Sequence, residues 1–354
     1  MIPPPRAEAV DRFRRDLAAL LDRPPPGEAI ELTGGGAAIP PRYHPARKPS
    51  SSLSQDEAAS LLALAVSGGP DSLALLLLAT AACPGEVIAA TVDHNLRPEA
   101  AAEAHFVAEL CADLRVPHVT LPITVPDDSA GPQAAARRAR YGALESWALT
   151  GGARALAVGH HADDQAETIL MRLGRGAGVS GLCGIRPRRI MWHGLPLVRP
   201  LLAWRRADLA EIVAAAGLTA VDDPSNRNTR YDRTRARTLL ASGWPEPARL
   251  AAVAAHAAEA EAALAYSTDQ FAAERLRVDA NGISLTVDGL PREYRRRLTL
   301  RAVEKLTNRN DLRGDEVDRL LDRLLAGTVS TLAGVRISPG PIWRFTLAAP
   351  HRSV

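Results

Sequence analysis

Lysine is nearly missing from this chain: of 43 basic side chains among 354 residues only Lys48 and Lys305 are lysines, and arginine supplies the rest. Base composition in a GC-rich genome suffices for that bias and for the abundance of alanine, so an arginine count alone implies no partner. Nor is there an excess of either sign, since the net charge is only +3; any polyanion footprint has to be read from where charge concentrates. Cysteine is scarce too. Cys83, Cys111 and Cys183 stand far apart with no C-x-x-C spacing, which argues against a disulfide scaffold, a zinc site or a sequence-local iron–sulfur motif. Long apolar runs are lacking: Met1 to Leu21 mixes Pro, Arg, Asp and Glu without a signal core, and the longest largely apolar stretch, Leu73 to Cys83, falls well short of the roughly 20 residues of a membrane span. A soluble cytoplasmic protein without membrane association is expected. The length suggests two domains, each large enough for its own core.

What is present centres on Ser67-Gly68-Gly69-Pro70-Asp71-Ser72, preceded by the apolar run Leu61 to Val66 and followed by Leu73 to Leu78. That order reads as a buried strand, a tight turn and a helix. Glycines let the backbone take left-handed dihedrals and approach a ligand closely, and Pro70 suits a first helical position. The N–H groups and dipole of the helix start then face an anion. Ser67 and Ser72 add hydroxyl donors, while Asp71 offers a hard oxygen for Mg²⁺ between phosphates. Such a segment is a phosphate cradle without a Walker lysine. The plain alternative is a strand-to-helix turn with an acidic first turn.

From Leu61 the pattern is regular. Apolar strands at 61–66, 87–92, 118–123 and 154–158 alternate with helical stretches at 71–82, 100–114, 132–149 and 164–173, which predicts an α/β domain: a parallel sheet with helices on both faces. Ligands of such sheets bind at the carboxyl ends of the strands, where the polar clusters fall. Upstream, residues 12–22 read as a short amphipathic helix within an N-terminal extension, 1–56, whose Pro-, Gly- and Ser-rich part, 23–55, reads as a flexible insertion. The α/β domain is placed at 57–222. Beyond it, 223–354 reads as a basic linker and a smaller, mainly helical domain with helices near 246–277, 291–307 and 315–326. Its end, Thr328 to Leu347, alternates around Ser338-Pro339-Gly340-Pro341 as a hairpin.

Gly159-His160-His161-Ala162-Asp163-Asp164-Gln165-Ala166-Glu167-Thr168 also follows a strand and opens a helix. Asp164 and Glu167, three residues apart, share a helical face, although Asp-x-x-Glu before an apolar run is equally a capping-box pattern. Two adjacent histidines without a third ligand at sensible spacing make a poor zinc site. The G-x-G-x-x-G at 176–181 ends a helix instead of linking a strand to one, so it reads as a mobile basic loop and not as a dinucleotide motif. Asp93 to Arg97 and Ala136 to Tyr141 would each, alone, be a solvated polar face. Finally, residues 186–240 hold eleven Arg against five Asp or Glu, the electrostatic footprint of a polyanion, with Tyr231 among arginines as a ring on which a base can stack. A solvated basic face is the alternative.

Together these segments resemble the tRNA(Ile)-lysidine synthase family of the ATP pyrophosphatase (PP-loop) superfamily. The similarity runs in order through SGGPDS at 67–72, VDHNLRPEA at 92–100, AAARRARY at 134–141, GHHADDQAET at 159–168, RGAGVSGLCGI at 175–185, RPLL at 199–202 and DPSNRNTRYDRTRAR at 223–237. Thr234, where many members carry asparagine, and the N-terminal insertion depart from the family pattern. The resemblance implies ATP-dependent joining of free lysine to C2 of the wobble cytidine in the CAU anticodon of tRNA(Ile), through an adenylylated tRNA. It implies ATP held by Ser67, Gly68, Gly69, Pro70, Asp71 and Ser72, with Mg²⁺ on Asp71; Asp71, Arg137, Asp164 and Glu167 as catalytic residues; and His94, Arg140, His160 and His161 in support. Arg175, Arg230, Tyr231, Arg233, Arg235 and Arg237 would contact tRNA. Two other readings share the motifs: a different PP-loop enzyme, such as a tRNA thiolase or an amide-forming synthetase, and a non-catalytic RNA-binding protein of the same fold.

Overall fold

The computed structural model describes residues 2–22, 61–93, 98–125, 131–219, 231–309, 312 and 314–348. The insertion expected at 23–55, His94 and Arg230 lie outside the described residues, as do the side chains of Tyr231 and Arg233. The described residues fall into two compact units, one up to Glu259 and one from Ala260 on.

In the first unit the elements are α1 (Ala7–Leu21), β1 (Leu62–Ala65), α2 (Pro70–Ala82), β2 (Val87–Asp93), α3 (Pro98–Asp113), β3 (His118–Pro122), α4 (Pro132–Thr150), β4 (Ala155–Ala157), α5 (Ala162–Leu173), α6 (Val179–Leu182), β5 (Arg188–Ile190), β6 (Pro196–Val198), α7 (Arg206–Ala215), α8 (Tyr231–Ala241) and α9 (Pro247–Arg275), the last running into the second unit. The four expected strands are present and parallel; two short strands, β5 and β6, extend the sheet to the order β3-β2-β1-β4-β6-β5, with β5 alone antiparallel. β1 is buried along its whole length, as a central strand covered on both faces must be. α2 is apolar all round, with every residue from Ser72 to Ala79 buried, which marks an interior helix. The supposed extension contributes to the same core: Val10, Phe13 and Leu17 of α1, spaced three and four apart, pack there, and Asp16 accepts a 2.8 Å hydrogen bond from Trp204 Nε1.

The strand order determines where a ligand can sit. The chain moves outward from β1 to β2 and β3, then crosses back to place β4 on the other side of β1. That reversal opens a crevice at the carboxyl ends of β1 and β4. Ser67 to Ser72 follow β1, and Gly159 to Asp164 follow β4, so the two strongest sequence motifs meet there.

The second unit contains β7 (Leu276–Asp279), β8 (Gly282–Thr286), α10 (Arg292–Thr307), α11 (Gly314–Leu325), β9 (Ser330–Leu332), β10 (Val335–Ser338) and β11 (Ile342–Leu347). The expected helices and the terminal β10–β11 hairpin are present. β7 and β8, unforeseen because the helix expected to 277 reached only the start of β7 and no element was expected between 278 and 290, complete an antiparallel sheet of order β7-β8-β11-β10-β9. α11 buries Val317, Leu320, Leu321 and Leu324 on one face; these pack with Leu298 and Val303 of α10 and with Ile283, Leu285, Ile337, Trp343 and Phe345 of the sheet.

Candidate active site

Gly68 takes φ +83°, a left-handed conformation that glycine adopts without steric cost, and the chain turns there from β1 into α2. Gly69 is the N-cap and supplies no side-chain cap, with Pro70 at the first helical position. Ser72 holds the loop in shape: its hydroxyl donates to the Gly69 carbonyl (2.9 Å) and accepts from the Ser67 N–H (3.1 Å). Ser67 stands exposed at the mouth, its hydroxyl donating to Ser72 Oγ in a long 3.3 Å contact that a ligand oxygen can replace, while Ser72 is spent on the turn.

Gly159 brings the second motif against this loop. A Cβ there would lie 2.9 Å from the Asp71 carbonyl oxygen and 3.3 Å from the Ser72 nitrogen, both backbone atoms that cannot move without dragging the helix start. Gly159→Ala is therefore expected to cost about 1–3 kcal/mol of stability through overpacking and to weaken ATP binding by displacing the loop. A thermal melt and an ATP titration check this; an unchanged Tm would show that the approach is not tight.

His161, almost fully buried, caps α5 and joins the two motifs. Its Nε2 lies 3.3 Å from Asp71 Oδ2 and 3.5 Å from Asp164 Oδ2, while the Asp163 N–H donates to Nδ1 at 3.2 Å. The His161 N–H in turn donates to Asp164 Oδ2 at 3.1 Å. The capping box thus runs from His161 to Asp164, and the Asp164–Glu167 pair is not a cap. Burial alone would lower the His161 pKa, but the Asp163, Asp71 and Asp164 carboxylates overcome it and raise it to about 10. A doubly protonated ring exchanges the Asp163 N–H for the Asp163 carboxylate, 3.6 Å from Nδ1. Burial raises the Asp164 pKa; His161 opposes this, and the Asp71 and Glu167 charges add to it. One oxygen of Asp71, Oδ1, is buried without a hydrogen-bond partner among the described residues. An orphaned carboxylate oxygen beside a phosphate-type loop fits a hard cation, and Mg²⁺ characteristically takes one or two carboxylates together with substrate phosphates. That matches a site in which no group of three His, Cys, Asp or Glu side chains forms a metal cage among the described residues.

Glu167, one turn further along α5 and mostly buried, receives a 2.7 Å hydrogen bond from Arg237 Nε of α8. Sequence reasoning had placed these two in separate roles, since residues 70 apart carry no local signal. α5 also fixes the glycine-rich segment after it. Gln165 donates to the Ile185 carbonyl and accepts from the Ile185 N–H, and Arg172 donates to the Gly181 and Gly184 carbonyls at 2.7 and 2.8 Å. The segment expected to be a mobile loop is instead a short helix and turn tied to α5, with Arg175 exposed beside it.

His160 behaves oppositely to its neighbour. Burial first, then Arg199, Arg137 and Arg140, lower its pKa to about 3, and Arg199 Nε donates to its Nδ1 at 3.2 Å. Arg199 was not foreseen as a site residue; the available signal was its position directly after an apolar run, at the carboxyl end of β6. Arg235 is exposed on α8, whereas the second arginine-rich helix, α10, is spent internally: Arg292 pairs with Asp322, Arg296 with Asp318, and Arg297 with Glu261 and Glu293.

Residues 43–242 match the PP-loop domain family model. The chain is 46% identical over 295 residues to tRNA(Ile)-lysidine synthase of Zymomonas mobilis, covering 82% of this chain and 89% of that one. It is 45% identical over 301 residues to the Novosphingobium aromaticivorans enzyme of the same name, covering 82% and 90%. Among solved structures it resembles the U34-tRNA thiolase NcsA of Methanococcus maripaludis, with a TM-score of 0.50 at 13% identity over 71% of this chain and 80% of that one, a likeness of fold alone. With the phosphate-type loop, the His161-centred carboxylates and the PP-loop fold in place, this chain belongs to the tRNA(Ile)-lysidine synthase family.

Proposed function

We propose that the protein is an ATP-dependent carbon–nitrogen ligase that attaches free L-lysine to C2 of the wobble cytidine in the CAU anticodon of tRNA(Ile). The observation that carries this reading is the meeting of Asp71, His161 and Asp164 at the β1–β4 crevice, in a chain 46% identical to a synthase of that name over 82% of its length.

The cytidine C2 oxygen is a poor leaving group until it attacks the α-phosphorus of ATP, giving an O-adenylylated base and pyrophosphate. Ser67 and the backbone N–H groups at the start of α2 receive phosphate oxygens, and the helix dipole favours their charge. Asp71 is the residue to hold Mg²⁺, which when bound neutralises charge on the departing pyrophosphate. His161 keeps the Asp71 and Asp164 carboxylates together, and Arg137 and Arg140 supply positive charge for phosphate. In the second step the ε-amine of lysine attacks C2 and AMP leaves. With a reference pKa near 10.4, only about one lysine amine in a few thousand is neutral at pH 7. Asp164 and Glu167 hold the ammonium, and Asp164, raised by its burial, is the better proton acceptor. Arg175, Arg230, Arg233, Arg235 and Arg237 grip tRNA phosphates, with Tyr231 beneath a base.

ATP–pyrophosphate exchange tests the first step: exchange that depends on CAU-anticodon tRNA supports the reading, and exchange without tRNA, or none at all, counts against it. The basic segment has its own test. Replacing Arg233 and Arg235 with alanine is expected to weaken tRNA binding and flatten the dependence of log K on log[salt] by roughly one unit per lost phosphate contact. Discrimination of CAU from other anticodons should survive, because base contacts carry sequence information. An unaltered slope would make these arginines a solvated face.

A further inference from the structure

Four arginines gather around Tyr141 at the carboxyl edge of β4 and β6. Arg140 and Tyr141 of α4 lie three and four residues beyond Arg137, so both neighbour it on the helix surface. The Arg137 guanidinium carbon stands 4.9 Å from the centre of the Tyr141 ring and that of Arg189, from β5, 5.2 Å. Arg189 also lies 6.0 Å from the Trp192 ring. Arg199, 4% exposed, donates from Nε to His160 and from Nη1 to the Arg186 carbonyl at 2.6 Å. Among the described residues none of the four has a carboxylate at ion-pair distance. Glu145 acts on Arg189 from further off, but both its oxygens are bound to His193, at 2.7 Å to the N–H and 3.1 Å to Nδ1.

Positive groups packed together and partly withdrawn from water repel one another, and natural proteins tolerate this where an anion completes the site. Planar guanidinium forks match phosphate oxygens two at a time. We propose that Arg137, Arg140, Arg189 and Arg199 form one anion site, with Tyr141 as its floor, that takes a phosphate group, and that Arg189 and Arg199 are direct ligands of it. Its position at strand carboxyl ends, with Arg199 bonded to the neighbour of His161, sets it beside the Asp71 crevice. Burial holds Arg199 down to about 10, with Tyr141 opposing it and Arg189 and Arg137 adding to it.

The phosphate has two sources under the ligase reading, on which the choice of probes rests: ATP, or the tRNA backbone. Both are tested on the full chain by titrating ATP without tRNA, and tRNA(Ile) transcript without ATP, into wild type, Arg189→Gln and Arg199→Lys, with binding followed by calorimetry and by the ligand-induced rise in Tm. Arg199→Lys keeps the charge but removes the fork, and guards against misfolding of a neutral variant at the buried position. About a tenfold loss of affinity for one ligand in either variant is the expected result: a loss for ATP alone assigns the site to the triphosphate, and a loss for tRNA alone, with a shallower salt slope, assigns it to the backbone. Unchanged affinity for both ligands in both variants, while wild type binds both, overturns the anion site and leaves the ligase reading standing. Failure of wild type to bind either ligand overturns both.

Discussion

Asp71→Asn is expected to reduce tRNA-dependent ATP–pyrophosphate exchange at least about 100-fold, because charge stabilisation through a bound divalent ion is worth several kcal/mol and each 1.36 kcal/mol is a factor of ten. The substitution is nearly isosteric. An amide oxygen can still accept from His161 Nε2, 3.3 Å from the present carboxylate, so the fold should hold, with Tm lowered only by the loss of one of the carboxylates that face the His161 imidazolium, Asp163 and Asp164 remaining. What disappears is the negative charge and, with it, the capacity of the orphaned Oδ1 to bind a cation. The two roles open to Asp71 separate cleanly in experiment. If it only supports His161, the variant loses stability and keeps its exchange activity and Mg²⁺ dependence. If it holds the ion, activity collapses in a folded protein. Full activity at ordinary Mg²⁺ would sink the cradle reading.

The second large effect is at Glu167. Glu167→Gln is expected to raise the KM for lysine by about 10- to 100-fold, the value of a charged hydrogen bond of roughly 1.5–3 kcal/mol, while adenylylated tRNA still forms and accumulates. Glutamine retains an oxygen for Arg237 Nε, now 2.7 Å from the carboxylate, so α8 should stay docked on α5. Helix capping offers no competing explanation, since the cap is made by His161 and Asp164. Normal lysine kinetics with a lowered Tm would reassign Glu167 to a purely structural tie between the two helices.

These expectations rest on geometry that was only partly legible in the sequence. The parallel sheet and the loop at 67–72 were readable because buried strands and an interior helix leave long apolar runs, and because Gly-Gly frees the turn to take left-handed dihedrals while Pro suits the helix start. Placing the 159–168 motif at a strand end was readable for the same reason. β5 and β6 were not, being three residues each, too short for a period to register. β7 and β8 were missed because Leu276 to Thr286 alternates only briefly after a helix of 29 residues. Within the site, pairs close in sequence could be weighed, as with Asp164 and Glu167, although the capping box runs instead from His161 to Asp164. Long-range pairs could not: Glu167 with Arg237, His160 with Arg199, and Arg189 over Tyr141 exist only once the topology brings β4, β5, β6 and α8 to one edge. The opposite charge states of His160 and His161 belong to the same class, because arginines from other elements surround one and carboxylates the other.

The most direct test of the whole account is incorporation of labelled lysine into tRNA. With ATP and Mg²⁺ present, the purified protein is expected to transfer labelled lysine to a tRNA(Ile) transcript with a CAU anticodon, with one AMP and one pyrophosphate released per lysine attached, and to leave a transcript with a GAU anticodon unlabelled. No label on the CAU transcript under conditions that sustain ATP–pyrophosphate exchange, or equal labelling of both transcripts, would contradict it.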